Sequence, residues 1–170
     1  VDDWQDKAID KMGELLGKYR GLSVFMDSCV KCGACTDKCH YFLGTKDPKN
    51  MPVARQDLFR QVYRRYFTLA GKLVPWLVGA KDMTEEVLDD WYKYFHQCSE
   101  CRRCSVFCPY GIDTAEVTMA AREIMDHVGR GQKYANEIIG KVHTMGTNLG
   151  LPKPALLNTI EGLEEDIEED

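Results

Sequence analysis

Cysteine is a soft metal ligand and a nucleophile in its thiolate form. The 170-residue chain has eight of them, all within 29–39 and 98–108. The first stretch reads CVKCGACTDKC and the second CSECRRCSVFC, both spaced CxxCxxCxxxC. Cysteines three apart close only small loops, and a disulfide contributes most across long ones, so a disulfide framework is not expected. Structural zinc takes four ligands, usually from separated CxxC pairs, and two uninterrupted triplets pair awkwardly for it. A triplet with two-residue gaps wraps one side of an iron–sulfur cubane, and the fourth thiolate must reach it from the opposite side. Where a chain holds two such clusters, the fourth cysteine of each run serves the other cluster. On that rule Cys29, Cys32, Cys35 and Cys108 hold one [4Fe–4S] cluster, and Cys98, Cys101, Cys104 and Cys39 hold the second. The widened last gap turns each loop toward its neighbour's site.

Other residues in the loops bear on the same chemistry. Gly33 and Gly111 suit a backbone that approaches a cluster or takes positive φ, although an ordinary turn would use them as well. Pro109 follows the last cysteine of the second run, and His40 stands in its place in the first. A histidine there, or His96 two residues before Cys98, either donates to a cluster sulfur and tunes its potential or is an ordinary exposed or capping side chain. Lys31, Lys38, Arg102 and Arg103 either offset cluster charge or are solvated. The formal charge is -5, and becomes about -9 if each cluster with its thiolates counts about -2.

The elements that position these loops are helical. A shift of 69 residues superposes the two runs and also pairs Met26 with Phe95 and Tyr41 with Tyr110, which marks an internal duplication. Apolar residues at steps of three and four predict helices over 3–19 (Trp4, Ala8, Met12, Leu15), over 52–70 (Leu58, Val62, Tyr66, Leu69) and from Thr84 through Phe95. Further helices are predicted from Asp113 or Thr114 to Val128, over 132–145, and from Pro154 to Ile167. No alternating strand is evident. The expected fold is mostly α, with an N-terminal helix at 1–21, a two-cluster domain at 22–150, and an acidic helix or linker at 151–170. The acidic face of that last helix (Glu161, Glu164, Glu165, Glu168, Glu169) is read as solvated, or as a dock or connection to a further region. Arg55, Arg60, Arg64 and Arg65, with Lys72 just beyond, make the region of the 52–70 helix basic, which predicts a solvated face or a dock for an acidic partner.

Composition bounds the function. A net negative chain has no field to collect phosphates, so general nucleic-acid affinity is not expected. The longest apolar run, LVPWLVGA at 73–80, is too short to span a bilayer. Flanked by Lys72 and Lys81, it either rests on a membrane subunit or packs inside. The opening VDDW has no secretory character, and a reducing, cytoplasmic setting is expected.

Two CxxCxxCxxxC runs separated by a long helical insert resemble the α-helical ferredoxin domain of the heterodisulfide-reductase-like family. The likeness is greatest to the N-terminal part of DsrK-type subunits of DsrMKJOP membrane complexes. It covers about residues 22–150. It implies electron relay through two [4Fe–4S] clusters, peripheral attachment at the cytoplasmic membrane face, and partners comprising a haem-bearing membrane subunit and a thiol–disulfide catalytic domain or subunit. Relatives with that catalytic part carry CCG motifs. This chain contains none, and no cysteine beyond the eight, so the resemblance places disulfide chemistry outside these residues. The small subunit of soluble heterodisulfide reductase and the iron–sulfur subunit of a flavin-linked dehydrogenase are the alternatives.

Overall fold

A computed structural model describes residues 3–169, with side chains as far as Ile167. Among the described residues all regular structure is helical. Eleven α-helices follow in order: α1 (Trp4–Lys18), α2 (Arg20–Ser28), α3 (His40–Thr45), α4 (Pro52–Phe67), α5 (Leu69–Leu73), α6 (Pro75–Val78), α7 (Glu85–His96), α8 (Arg103–Val106), α9 (Thr114–His127), α10 (Lys133–Met145) and α11 (Lys153–Glu169). The chain divides into two compact units, the first ending at Gly131 and the second beginning at Gln132.

In the first unit α9 packs against α1, α4 and α7, and α4 also packs against α7. Trp91 of α7 anchors the core. It stacks on Phe59 of α4 at 5.2 Å, meets Phe95 edge-on at 5.4 Å, and donates from Nε1 to the Leu58 carbonyl at 3.3 Å. Leu15, Leu22, Met26, Val117, Ala121 and Ile124 close around this group. Met26 and Phe95, paired by the repeat, are both buried at the ends of the helices that lead into the cysteine loops.

Helix starts follow local chemistry. Thr84 Oγ1 accepts from the Val87 N–H at 3.3 Å, and Asp113 Oδ1 accepts from the Ala115 and Glu116 N–H groups, satisfying donors with no partner inside the helix. Asp113, rather than Thr114, is therefore the α9 cap. Gly129, in the left-handed region at φ 77°, closes that helix.

Three expectations change. The apolar spacing at the N-terminus continues past Tyr19 into a separate helix, α2, which buries Leu22 and Met26. The 52–70 helix stops at Phe67, and its buried face is Arg55, Phe59, Arg60, Val62 and Tyr63, whereas Leu69 is exposed. The LVPWLVG run does not pack inside: it forms α5 and α6 and leaves Leu73 and Trp76 each 79% exposed.

In the second unit no residue of α10 is buried. Gly146 ends α10 at φ 78°. On α11 Glu161, Glu164 and Glu165 are exposed, and so are Ile160, Leu163 and Ile167 of the apolar stripe. The side chains of Glu168 and Glu169 lie outside the described residues. Among the described residues no helix is long and apolar enough to cross a membrane.

The turn from α4 into α5 depends on Gly71. Thr68 Oγ1 donates to the Arg64 carbonyl at 2.8 Å and accepts from the Gly71 N–H at 3.1 Å. A Cβ at Gly71 would stand 1.8 Å from the Arg64 carbonyl oxygen. Gly71→Ala is expected to lower stability by about 1–3 kcal/mol, measured as a lower denaturant midpoint. An unchanged midpoint would show that this close approach is not needed.

Candidate metal centre

Each cysteine loop begins where a core helix ends, at Cys29 after α2 and at Cys98 after α7 and Gln97. The two loops then turn alike. Lys31 and Gly33 take positive φ (56° and 77°), and so do Glu100 and Arg102 (54° and 57°), at the same offsets in the repeat. A non-glycine residue in this region costs about 1–2 kcal/mol and persists when its surroundings hold it there. All three non-glycine residues have such a hold: Lys31 pairs with Asp57 of α4 at 2.7 Å, Glu100 with Arg122 of α9 at 2.7 Å, and Arg102 with the α9 cap Asp113 at 3.5 Å.

Arginines hold the first carbonyl of each loop. Arg60 of α4 donates from Nη1 to the Cys29 carbonyl at 3.0 Å, and Arg122 donates from Nη2 to the Cys98 carbonyl. A third arginine, Arg55, reaches a sulfur. It is 1% exposed and donates from Nε to the Tyr94 carbonyl (2.9 Å), from Nη2 to Asn50 Oδ1 (3.0 Å) and from Nη1 to Cys39 Sγ (3.6 Å).

The thiols gather around two cavities. One, of about 390 Å³ including its open side, is lined by Cys29, Cys32 and Cys35 from the first loop and by Cys108 and Cys104 from the second. The other, of about 360 Å³ on the same measure, is lined by Cys98, Cys101 and Cys104 from the second loop and by Cys39 from the first. Cys104 and Thr114 line both, so the cavities adjoin. Among the described residues no three His, Cys, Asp or Glu side chains converge on a point fit for a single metal ion. The thiols surround volumes instead.

The donor set fits iron–sulfur chemistry in a second respect. Among the described residues no carboxylate pairs with Arg55, although an ionised guanidinium is costly to bury without an anion. Its partners are a carbonyl, an amide and a sulfur, and of these only the sulfur can carry charge. Burial pushes the Cys35 thiol up to about 11 and raises that of Cys104 as well. In the metal-free chain both keep their protons near neutrality, and a bound cation displaces those protons.

The remaining loop residues separate by role. Lys31, Lys38 and Arg102 each pair with a carboxylate, and Arg103 is exposed. The arginines of α4 do not form a continuous exposed basic face, and Lys72, which is exposed, lies on α5. Arg55 and Arg60 are buried, Arg64 donates to the Val78 carbonyl at 2.8 Å, and Arg65 pairs with Asp82 at 2.6 Å. His40 begins α3 and its Nε2 lies 3.3 Å from Ser99 Oγ, linking the two loops. His96 turns its Nδ1 to the Tyr92 carbonyl of its own helix at 2.9 Å. Asn50 lies just before α4. It is buried beneath Arg55, and Met51 occupies the cap position. Sequence reasoning missed the roles of Arg55, Arg60 and Arg122. The signal available was an arginine at buried helical spacing beside Phe59 and Val62.

Fold and site define a helical iron–sulfur domain with two cysteine loops. A family model described as a 4Fe-4S dicluster domain matches residues 25–112, and the chain belongs to that family. It carries two [4Fe–4S] clusters. It is 49% identical over 165 residues to an Archaeoglobus fulgidus protein named Hdr-like menaquinol oxidoreductase iron-sulfur subunit 2, covering 96% of this chain and 30% of that one. An Archaeoglobus profundus Hdr-like menaquinol oxidoreductase iron-sulfur subunit is 50% identical with the same coverage. A dihydromethanophenazine:CoB–CoM heterodisulfide reductase polypeptide of Methanosarcina barkeri is 25% identical over 69% of this chain and 29% of its own length. The chain thus spans about 30% of the curated relatives it matches. No solved structure matches it.

The shared loop geometry makes Gly33 a test of backbone strain alone, since a Cβ there would meet nothing nearer than Thr36 Oγ1 at 3.7 Å. Gly33→Ala is expected to cost about 1–2 kcal/mol, read as a lower melting temperature of the cluster-loaded protein. A melting temperature equal to wild type would show that the turn relaxes.

Proposed function

We propose that the chain relays electrons through its two clusters within an Hdr-like membrane-associated complex. One cluster is held by Cys29, Cys32, Cys35 and Cys108, and the other by Cys98, Cys101, Cys104 and Cys39. The observation that carries the reading is the interleaving of the two cavities: each triplet meets the late cysteine of the opposite loop. When bound, each cluster supplies one-electron redox chemistry. The protein's own residues orient the thiolates, pin the loops through Arg60 and Arg122, and bring the two sites together at Cys104 and Thr114.

Electrons enter from a haem-bearing membrane subunit and leave to a thiol–disulfide catalytic domain or subunit outside these residues. The relatives' names, a menaquinol oxidoreductase and a heterodisulfide reductase, support the two ends of this route. The exposed apolar surface of Leu69, Leu73, Trp76 and Leu77, beside Lys72 and Lys81, supports attachment at the cytoplasmic membrane face. It favours a membrane-associated complex over a soluble reductase. Among such complexes the finer assignment is the DsrMKJOP type of sulfur metabolism, which rests on the likeness to the N-terminal part of DsrK-type subunits.

Anaerobically purified protein is expected to contain about eight iron and eight acid-labile sulfide atoms per chain, as two cubanes require. Stoichiometric zinc without iron would overturn the reading. Cys39→Ser is expected to perturb the EPR signal of the cluster held by the 98–104 triplet. Damage confined to the other cluster would refute the exchange of fourth ligands. Leu77→Glu is expected to weaken co-sedimentation with the membrane complex at least tenfold while iron content stays at the wild-type level. Unchanged co-sedimentation would remove the apolar surface from the docking face.

A further inference from the structure

We infer that Arg55 tunes one cluster and not the other, making the cluster that includes Cys39 easier to reduce. The inference rests on the ligand sets proposed above. The two loops share their positive-φ turns, and each has an arginine on its first carbonyl, although among the described residues Arg122 is paired with Glu100 and Arg60 has no carboxylate. The late cysteines differ in whether an arginine donates to the sulfur. Cys39 is buried and receives the Arg55 Nη1 N–H at 3.6 Å. Among the described residues Cys108 Sγ receives no comparable side-chain donor. Arg60, the other buried cation of α4, touches the Cys29 carbonyl and does not line either cavity.

The physical consequence follows from charge. Adding an electron makes the sulfur ligands more electron-rich, which strengthens an N–H···S bond and the attraction of a nearby cation. Net charge and hydrogen bonds to sulfur are among the factors that set cluster potentials. Arg55 cannot lose its proton, and the described residues offer it no carboxylate to cancel its charge, so its field falls on Cys39. The Glu100 N–H adds a second contact on the same side, to Cys98 Sγ at 3.4 Å. The Glu100 carboxylate, which would oppose the effect, is held by Arg122 at 2.7 Å. Asn50 and the Tyr94 carbonyl fix the guanidinium plane, so the donor facing Cys39 is pre-positioned.

The test is a potentiometric titration, followed by EPR, of the cluster-loaded wild type and of Arg55→Gln and Arg55→Lys. The titrating reductant supplies one electron per cluster, and no bond is made or broken. Cys39→Ser, Cys101→Ser and Cys32→Ser identify which signal belongs to which site. In Arg55→Gln the signal altered by both Cys39→Ser and Cys101→Ser is expected to become at least tenfold harder to reduce, about 59 mV for one electron. The other signal should not move. Arg55→Lys, which keeps the charge, should shift it less. Equal shifts of both signals, or of neither, would overturn the inference. If Cys39→Ser instead alters the signal altered by Cys32→Ser, the ligand sets are wrong, which is a separate failure. Should Arg55→Gln not assemble clusters, pulsed EPR of reduced wild type grown with ¹⁵N-arginine decides the matter. A ¹⁵N coupling on the Cys39-linked signal, lost in Arg55→Lys, is expected, and its absence from wild type would overturn the inference.

Discussion

Two buried arginines on one helix hold the cysteine loops to the core, and neither has a carboxylate partner among the described residues. Removing an ionised group from water costs several kcal/mol unless charge and hydrogen bonds are returned to it. Arg55 spends its donors on Tyr94, Asn50 and Cys39, whereas Arg60 donates from Nη1 to Cys29 and leaves Nε and Nη2 buried without a hydrogen-bond partner among the described residues. Of the partners of Arg55 only Cys39 can carry a compensating negative charge, as its thiolate. On the ligand sets proposed above, the fold of the loops and cluster binding are coupled, as in other metal sites whose binding energy is also folding energy.

The duplication supplies a symmetric frame. Each half runs from a buried helix end, at Met26 or Phe95, through two left-handed turns to a short helical turn, at Thr36–Lys38 or Arg103–Val106. The halves diverge after the late cysteine. Cys39 leads into α3 through His40, whose ring contacts Ser99 across the gap between loops, whereas Cys108 leads through Pro109 and Gly111 toward the α9 cap. His40 therefore links the loops, while the sulfur contact on that side belongs to Arg55. Two binding sites built from one repeat can differ in potential through a single side chain on a helix outside the repeat.

Much of the scaffold was legible because amphipathic helices advertise themselves. The periods beginning at Trp4, Glu85, Thr114 and Lys133 place helices within a residue or two of those observed. The α2 helix was hidden because Tyr19 interrupts the helix for one residue and the apolar spacing does not register so short a break. The stop at Phe67 depends on Thr68 and Gly71 closing on the Arg64 carbonyl, a contact that periodicity cannot reveal. The basic residues of α4 misled for a related reason. A run of arginines looks solvated until the loops that need their donors are folded around them.

The sequence by itself determined the chemistry. Eight thiols in two equal runs specify soft-metal ligation, and their spacing specifies the iron–sulfur class, because ligand type and local reach are written in residue identity and separation. The pairing of Cys39 and Cys108 with opposite triplets could be argued from spacing alone, but bringing those residues to shared cavities required the packing of α4, α7 and α9. Only the tertiary structure decided which cations are buried, which are neutralised and which sulfur one of them faces. Those outcomes depend on desolvation and on donors separated by tens of residues, and no local pattern carries that information.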